Sequence, residues 1–256
     1  MNETNSLSRM LGILDVFDER HPEWSPEELM NRLGYSRPTL YRYLKTLKQA
    51  GLVVSINQSY TLGPRVVEMD FLLRKADPLV VEGQPLLEKL ASRYPGTAFL
   101  SRWYREKVLC VASVRTSEEA VSSYPRGRPM PVGRGATSHA ILAFLPRRQL
   151  LPLVESRLEL FREIGFGSSR EDVLAHFRAI RRDGYVAARG EVTLGVVGTA
   201  APVFDSGQAP IASLCLTMAA HHADACDPVE LGREVAAVAA TISERISSSR
   251  ILHAAE

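Results

Sequence analysis

Apolar side chains recur at helical spacing near the start of the chain. Leu7, Met10, Leu11, Leu14 and Phe17 fall at i, i+3, i+4, i+7 and i+10, which predicts one amphipathic helix with that stripe turned to a core. A second helix is announced by Ser25 as N-cap, Pro26 at N1 and Glu28 at N3, a capping box, with Trp24 and Leu29 placed as a hydrophobic staple. A third begins with Ser36 as N-cap, has Tyr35 and Leu40 as a staple, and runs to Gly51, a residue suited to the C′ position. Only Leu33-Gly34-Tyr35 separates the second and third helices, the short glycine-containing turn of a helix-turn-helix. Leu52-Val53-Val54 and Tyr60-Thr61-Leu62 then flank the polar turn Ile56-Asn57-Gln58-Ser59, which predicts a hairpin, or wing. A short helix from about Arg65 to Lys75 ends at Lys75-Ala76-Asp77-Pro78.

Beyond that proline the pattern alternates between both periods. Helical spacing appears over 79–94, 135–156, 170–183 and 228–248, the last with Leu231, Val235, Val238, Ile242 and Ile246 as its stripe. Strand-like runs appear at Thr97–Tyr104, Lys107–Val114, Tyr185–Arg189, Val196–Phe204 and Pro210–Met218. The turns Arg105-Glu106 and Asp205-Ser206-Gly207-Gln208 join neighbours as hairpins, so a mainly antiparallel sheet is expected. The expectation is an α+β chain: a winged helix-turn-helix over 1–64, a linker helix over 65–77 and an α/β domain over 78–256.

Charge sharpens the first part of this picture. The chain has 256 residues, with 31 Lys and Arg against 29 Asp and Glu, a formal net charge of only +2 that excludes a generally polybasic protein. The balance is uneven, however. Asn31 to Val67 holds no acid, yet contains Arg32, Arg37, Arg42, Lys45, Lys48 and Arg65; an acidic block of Asp15, Asp18, Glu19, Glu23, Glu27 and Glu28 precedes it. On the third helix Leu40, Tyr43, Leu44 and Leu47 form the buried stripe, leaving the other faces to the basic residues. A recognition helix places its N-terminal residues deepest in the major groove. Arg37, Pro38, Thr39 and Arg42, beside Ser36, are therefore the candidates for base edges, and Tyr41 and Lys45 for the backbone. Arg37 at N1 opposes the helix dipole, and a phosphate or guanine partner gives it a reason. The competing reading is a solvated basic face on a protein-contact module. The capped helices, short turn and following hairpin together favour DNA.

Other chemistry is thin. Cys110, Cys215 and Cys226 are an odd number without C-x-x-C spacing, so neither a disulfide framework nor a cysteine zinc site is expected. His221, His222, Asp224 and Cys226 resemble a metal cluster only superficially. No G-x-S-x-G elbow occurs, and Gly-Arg-Gly-Ala-Thr-Ser at 133–138 lacks the ending of a phosphate loop. No cofactor is expected. MNETNSLSRM has no leader pattern and no apolar run is long enough to span a bilayer, so no membrane association and a cytoplasmic location are expected. Gly135-Ala136-Thr137-Ser138 opens a helix whose first-turn N–H groups suit a carboxylate, although Thr137 or Ser138 can equally be a simple cap.

Three stretches resemble the IclR family of bacterial transcription regulators: LGYSRPTLYRYLKTLKQAGLV, GRPMPVGRGATSHAILAFLP and DGYVAARGEVTLGVVGTAAPVFDSGQAPIASLCLTM. In the last, Gly184-Tyr185, Glu191, Gly195 and Ala200-Ala201-Pro202-Val203 stand at the family's spacing. The likeness runs from about Leu7 to Ile246. It implies a winged helix-turn-helix joined by a helix to a GAF-like effector domain. It also implies homodimers or homotetramers on double-stranded, palindromic operator DNA, and a small carboxylate effector that adjusts expression of a catabolic operon. Pocket positions carried over from the family are Arg134, Gly135, Ala136, Thr137 and Ser138, then Ala188, Val196 and Gly198, then Cys215 and Thr217. Arg126 and Arg128 are further candidate counter-charges, and Ser101 and Trp103 further wall residues. Ser138-His139 and Leu216-Thr217-Met218-Ala219 depart from the common pattern, and Ala188 and Gly198 are small; a roomier pocket suited to an aromatic acid is expected. The rival readings are an enzyme that turns over its ligand, with the N-terminal module for localisation, and a constitutive DNA binder whose second domain only oligomerises.

Overall fold

The computed structural model describes residues 5–116 and 124–253, with side chains as far as residue 248. The chain divides into two compact units, Met1–Ala76 and Asp77–Glu256.

In the first unit local signals decide most elements. Helix α2 (Pro26–Leu33) starts with the full capping box between Ser25 and Glu28 and ends on Gly34 at φ +66°, whose N–H donates to the Met30 carbonyl. Helix α3 (Arg37–Gln49) buries Leu40, Tyr43, Leu44 and Leu47, while Gly51 takes φ +71° just past its end. Strands β2 (Val53–Ile56) and β3 (Ser59–Leu62) are joined by Asn57 and Gln58, both left-handed. The turn therefore has two residues, with Ile56 and Ser59 already paired. A two-residue strand, β1 (Glu23–Trp24), pairs antiparallel with β3 and completes a three-stranded wing. Helix α4 (Pro64–Ala76) closes the unit and buries none of its side chains.

The first helix departs from expectation. Helix α1 (Ser6–Leu11) stops at Gly12, whose N–H returns to the Ser8 carbonyl, and a 3-10 turn over Leu14–Val16 follows. The kink brings Ile13 into the core beside Leu29, Leu40 and Leu44, while Leu7 and Leu11 are left exposed. Gly12, a poor helix former set between Leu11 and Leu14 of that stripe, stands where the helix ends before the periodicity does.

The second unit is a six-stranded, wholly antiparallel sheet between two helical layers. Its strands are β4 (Thr97–Tyr104), β5 (Lys107–Arg115), β6 (Pro129–Met130), β7 (Val186–Arg189), β8 (Val196–Phe204) and β9 (Pro210–Ala219), in the order β6-β5-β4-β9-β8-β7. One face carries α5 (Pro78–Ala91) and α11 (Pro228–His253) over Leu100, Val203, Leu214, Leu216 and Met218. Four members of the expected stripe of α11, Leu231, Val235, Ile242 and Ile246, are buried there, and Val238 packs against them. The other face carries α6 (Gly135–Leu142), α7 (Arg147–Ser156), α8 (Leu158–Glu163) and α9 (Arg170–Asp183). A single helix over 135–156 is not formed, because Pro146 takes the extended N-cap position of α7 and separates it from α6. Helix α10 (Ala220–Asp224) links β9 to the approach of α11.

The layer of α6 to α9 contains a buried imidazole. His139 is fully enclosed, 4.5 Å from the ring of Phe166 and 6.5 Å from that of Phe177. Burial depresses its pKa to about 4, with the carbonyl of Gly133 opposing the shift and His176 reinforcing it. The unfolded chain takes up a proton near pH 6.5 that the folded chain refuses until about pH 4, so stability is lost as pH falls through that window. Between pH 7 and 4.5 the wild type should lose about 2 kcal/mol more stability than a His139→Gln variant, read from denaturant melts at the two pH values. Equal losses would show that His139 is not the group responsible.

Candidate functional site

The exposed part of α3 forms one continuous polar face. Ser36, Arg37, Pro38, Tyr41, Arg42 and Lys45 are exposed and Thr39 is half-buried, on the opposite side from the Leu40–Leu44–Leu47 stripe. Ser36 has the extended backbone of an N-cap, but its hydroxyl donates to Oγ1 of Thr39 at 2.9 Å rather than accepting from a helix amide. The first-turn amides of α3 are thereby left to face an outside acceptor. The guanidinium of Arg37 lies 5.6 Å from the Tyr41 ring and that of Arg42 lies 5.4 Å from the Tyr43 ring, so both cations are partly pre-oriented. Tyr43 is in turn fastened to α1, its hydroxyl 3.0 Å from that of Ser6. Arg at these positions supplies paired donors for phosphate or guanine, and no acid on the helix opposes them.

The second unit contains a small pocket between α6 and the sheet. Of the residues expected there, Arg134, Gly135, Ala136, Thr137, Ala188, Val196, Gly198, Cys215 and Thr217 line it. Their convergence follows from the sheet. Cys215 and Thr217 share a face of β9, and Gly198 on β8 pairs with Thr217. A Cβ on Gly198 would stand 3.6 Å from both the Ala136 Cβ and the Cys215 sulfur, which shows how closely α6 approaches the strand. Ser138 is not in the wall. It is fully buried, and its hydroxyl accepts the N–H of Gly133 at 2.7 Å.

Charge in the pocket is largely self-satisfied. Gly135, at φ +81°, donates its N–H to Oε2 of Glu191 at 2.8 Å, and Arg134 is ion-paired with Glu163. Burial raises the Glu191 carboxyl above its ordinary range, with the Gly135 N–H and Arg134 opposing. Burial likewise pushes the Cys110 and Cys215 thiols up to about 12, so neither supplies a thiolate. Thr217 donates to the carbonyl of Thr97 at 3.2 Å.

Sequence reasoning did not place Phe99, Tyr124, Met130, Gly190, Val192 or Thr193 in this wall, nor Glu191, which it noted only as a family position. Phe99 had a signal, since it alternates with Ser101 along β4; its ring stacks on Tyr124 at 4.5 Å between centroids. Ser101 is fully buried outside the lining, and Trp103 lines a separate open groove with Arg148, Pro152 and Ile211. Arg126 bonds the Val111 carbonyl, and Arg128 lies 5.9 Å from the Tyr124 ring. Asp224 is ion-paired with Arg189, and no group of three metal-ligating side chains is assembled among the described residues. No helix among them is long and apolar enough to cross a membrane.

Comparison with known proteins accords with both halves. Residues 6–55 match the IclR helix-turn-helix domain, and residues 74–244 match the bacterial transcriptional regulator IclR C-terminal domain. The HTH-type transcriptional regulator XynR of Escherichia coli is 26% identical over 83% of this chain and 85% of its own. The Pca regulon regulatory protein of Pseudomonas putida is 22% identical over 82% and 72%. Among solved structures, an IclR homolog from Microbacterium hydrocarbonoxydans complexed with 4-hydroxybenzoate superposes with a TM-score of 0.78 at 20% identity, covering 95% of this chain and 100% of that one. HmgR of Pseudomonas aeruginosa gives 0.73 at 23% identity, covering 94% and 98%. These relatives are regulators, which sets aside the reading as an enzyme. With a helix-turn-helix in one unit and a pocketed α/β sheet in the other, the chain belongs to the IclR family of transcriptional regulators, with a DNA-binding domain and a C-terminal effector domain.

Proposed function

We propose that the protein is a cytoplasmic, ligand-responsive regulator of a catabolic operon, reading a palindromic operator through α3 and binding an aromatic carboxylic acid in the pocket beneath α6. In this reading Arg37, Pro38, Thr39 and Arg42 approach base edges, and Ser36, Tyr41 and Lys45 hold the phosphate backbone. The wall formed by Arg134 to Thr137, Ala188, Val196, Gly198, Cys215 and Thr217 encloses the effector. Ser138 supports that wall by fixing Gly133.

The observation that carries the effector class is the composition of the pocket: small residues at Ala136, Ala188 and Gly198 face the stacked rings of Phe99 and Tyr124 and the side chain of Met130. That is a slot for a flat apolar body with one polar end. The 4-hydroxybenzoate bound by the Microbacterium homolog is a molecule of this kind. The linkage to DNA then requires the acid to favour one of two arrangements of the effector domain.

Assembly is proposed from the first unit. Helix α4 exposes Val67, Met69, Phe71, Leu72 and Leu73, with Val67 at 73% and Phe71 at 59%, and α1 exposes Leu7 at 66%. So much apolar surface on one small unit calls for a cover, and a second copy supplies it while presenting two recognition helices to two half-sites.

Three outcomes test this reading. In a mobility-shift titration with its own upstream DNA, Arg42→Ala should weaken binding at least about tenfold with an unchanged melting temperature; unchanged binding would move the base contact elsewhere. Calorimetric titration should detect benzoate-type acids and only weakly detect two- or three-carbon oxo acids, and the reverse order would overturn the effector class. Light scattering of a Leu72→Asp variant should halve the mass of the assembly, with operator affinity falling by about a hundredfold as the two heads separate.

A further inference from the structure

The pocket already contains a carboxylate. Oε2 of Glu191 receives the N–H of Gly135 at 2.8 Å and lies 3.4 Å from Nε2 of the fully buried His139. That Nε2 is also 3.2 Å from the carbonyl of Gly133, which can only accept, so Nε2 carries the proton. The other ring nitrogen, Nδ1, is buried without a partner, as the bare nitrogen of this tautomer. The Nε2 proton is thus taken by the Gly133 carbonyl, and Oε2 of Glu191 holds the backbone N–H of Gly135 with the imidazole lying beside it.

Glu191 reaches this position from a short loop. Residues 190–195 are bounded by Gly190 at φ +69° and Gly195 at φ +75°. Val192 rests on Gly135 so closely that a Cβ there would come within 2.7 Å of its Cγ2, and Leu194 is 86% exposed. The segment is held from its pocket side, by Glu191 and Val192.

We propose that Glu191 determines effector specificity as a tethered competitor: its side chain occupies the seat that the effector's carboxylate takes, and an effector binds by displacing it together with segment 190–195. The inference rests on the carboxylate reading of the pocket. Two carboxylates cannot share this donor, because like charges a few ångströms apart in a poorly hydrated site repel strongly. A small acid offers the seat nothing that Glu191 does not, and Glu191 has the advantage of being tethered. An aromatic acid adds burial of its ring against Phe99 and Met130 and so prevails. Selectivity for larger acids thus comes from the competitor as well as from the slot.

The experiment compares full-length wild type, Glu191→Ala and Glu191→Gln. In thermal melts, sodium acetate should raise the melting temperature of Glu191→Ala by about 3 °C over sodium chloride at equal ionic strength, and leave wild type unmoved. In calorimetry, 4-hydroxybenzoate should bind Glu191→Ala about tenfold more tightly than wild type, with Glu191→Gln between them because it keeps an acceptor oxygen but not the charge. Equal acetate responses in wild type and Glu191→Ala, or weaker 4-hydroxybenzoate binding to the variants, would overturn the proposal. If Glu191→Ala does not fold, the Glu191→Gln comparison decides it in the same directions. Acetate rescue without aromatic-acid binding to any of the three proteins would retain the tethered seat and reject the aromatic effector class. Equal aromatic-acid binding to all three would do the opposite.

Discussion

The second unit depends on a sheet buried on both faces whose faces differ in kind. Along β9, Ala212, Leu214, Leu216 and Met218 point into the layer of α5 and α11, while Ser213, Cys215 and Thr217 point the other way. The first set packs as an ordinary apolar core and supplies the stabilising burial. The second set is small and polar, and it leaves room for α6 to approach without filling the space beneath its first turn. Strand periodicity is what permits this division: a shift of one residue in register would put Leu216 into the pocket and Thr217 into the core. The pairing of β9 with β4 on one side and β8 on the other holds that register along nearly its whole length.

The first unit is tied together by shorter-range means. Tyr35 and Tyr43 meet edge to face at 5.8 Å, Tyr35 donates to the Arg9 carbonyl, and Tyr43 shares a hydrogen bond with Ser6. Trp24 pairs within the wing sheet while its indole N–H donates to the Val16 carbonyl. The aromatic residues thus perform two tasks, filling the space between α1, α2 and α3 and fixing the direction in which α3 presents its arginines. An exposed basic helix positioned by the buried Tyr43 and the half-buried Tyr35 can keep its cations outward without holding acids nearby.

Much of this was legible from residues alone where the determinant is local. The Ser25–Glu28 capping box, the left-handed Gly34, the hairpin strands of the wing and the buried stripe of α3 are properties of a few neighbouring side chains. The stripe of α1 was misleading for a physical reason. Periodicity reveals that Leu7 and Leu11 share a face, but not whether that face meets its own chain, and Gly12 ends the helix so that Ile13 becomes the core residue. β1 was too short to carry an alternation. In the effector domain the strand faces could be read, but the closing of Gly135 by Glu191 joins segments more than fifty residues apart in sequence. No pattern along the chain reports a hydrogen bond of that kind. Pro146 was visible, yet the helical spacing on both sides of it concealed the break between α6 and α7.

The sheet order also bears on the time at which each unit takes shape. The central pairing of β4 with β9 joins Thr97 to Thr217, so the middle of the sheet cannot close until nearly all of the chain is present. The wing and its three helices need only the first unit, and their contacts are short in sequence. Loop-closure entropy opposes the long pairing somewhat more than the short ones. During synthesis, which proceeds from the N-terminus, the DNA-binding unit is complete while β4 still waits for its partner. A nascent chain can therefore complete its helix-turn-helix before its effector domain is closed.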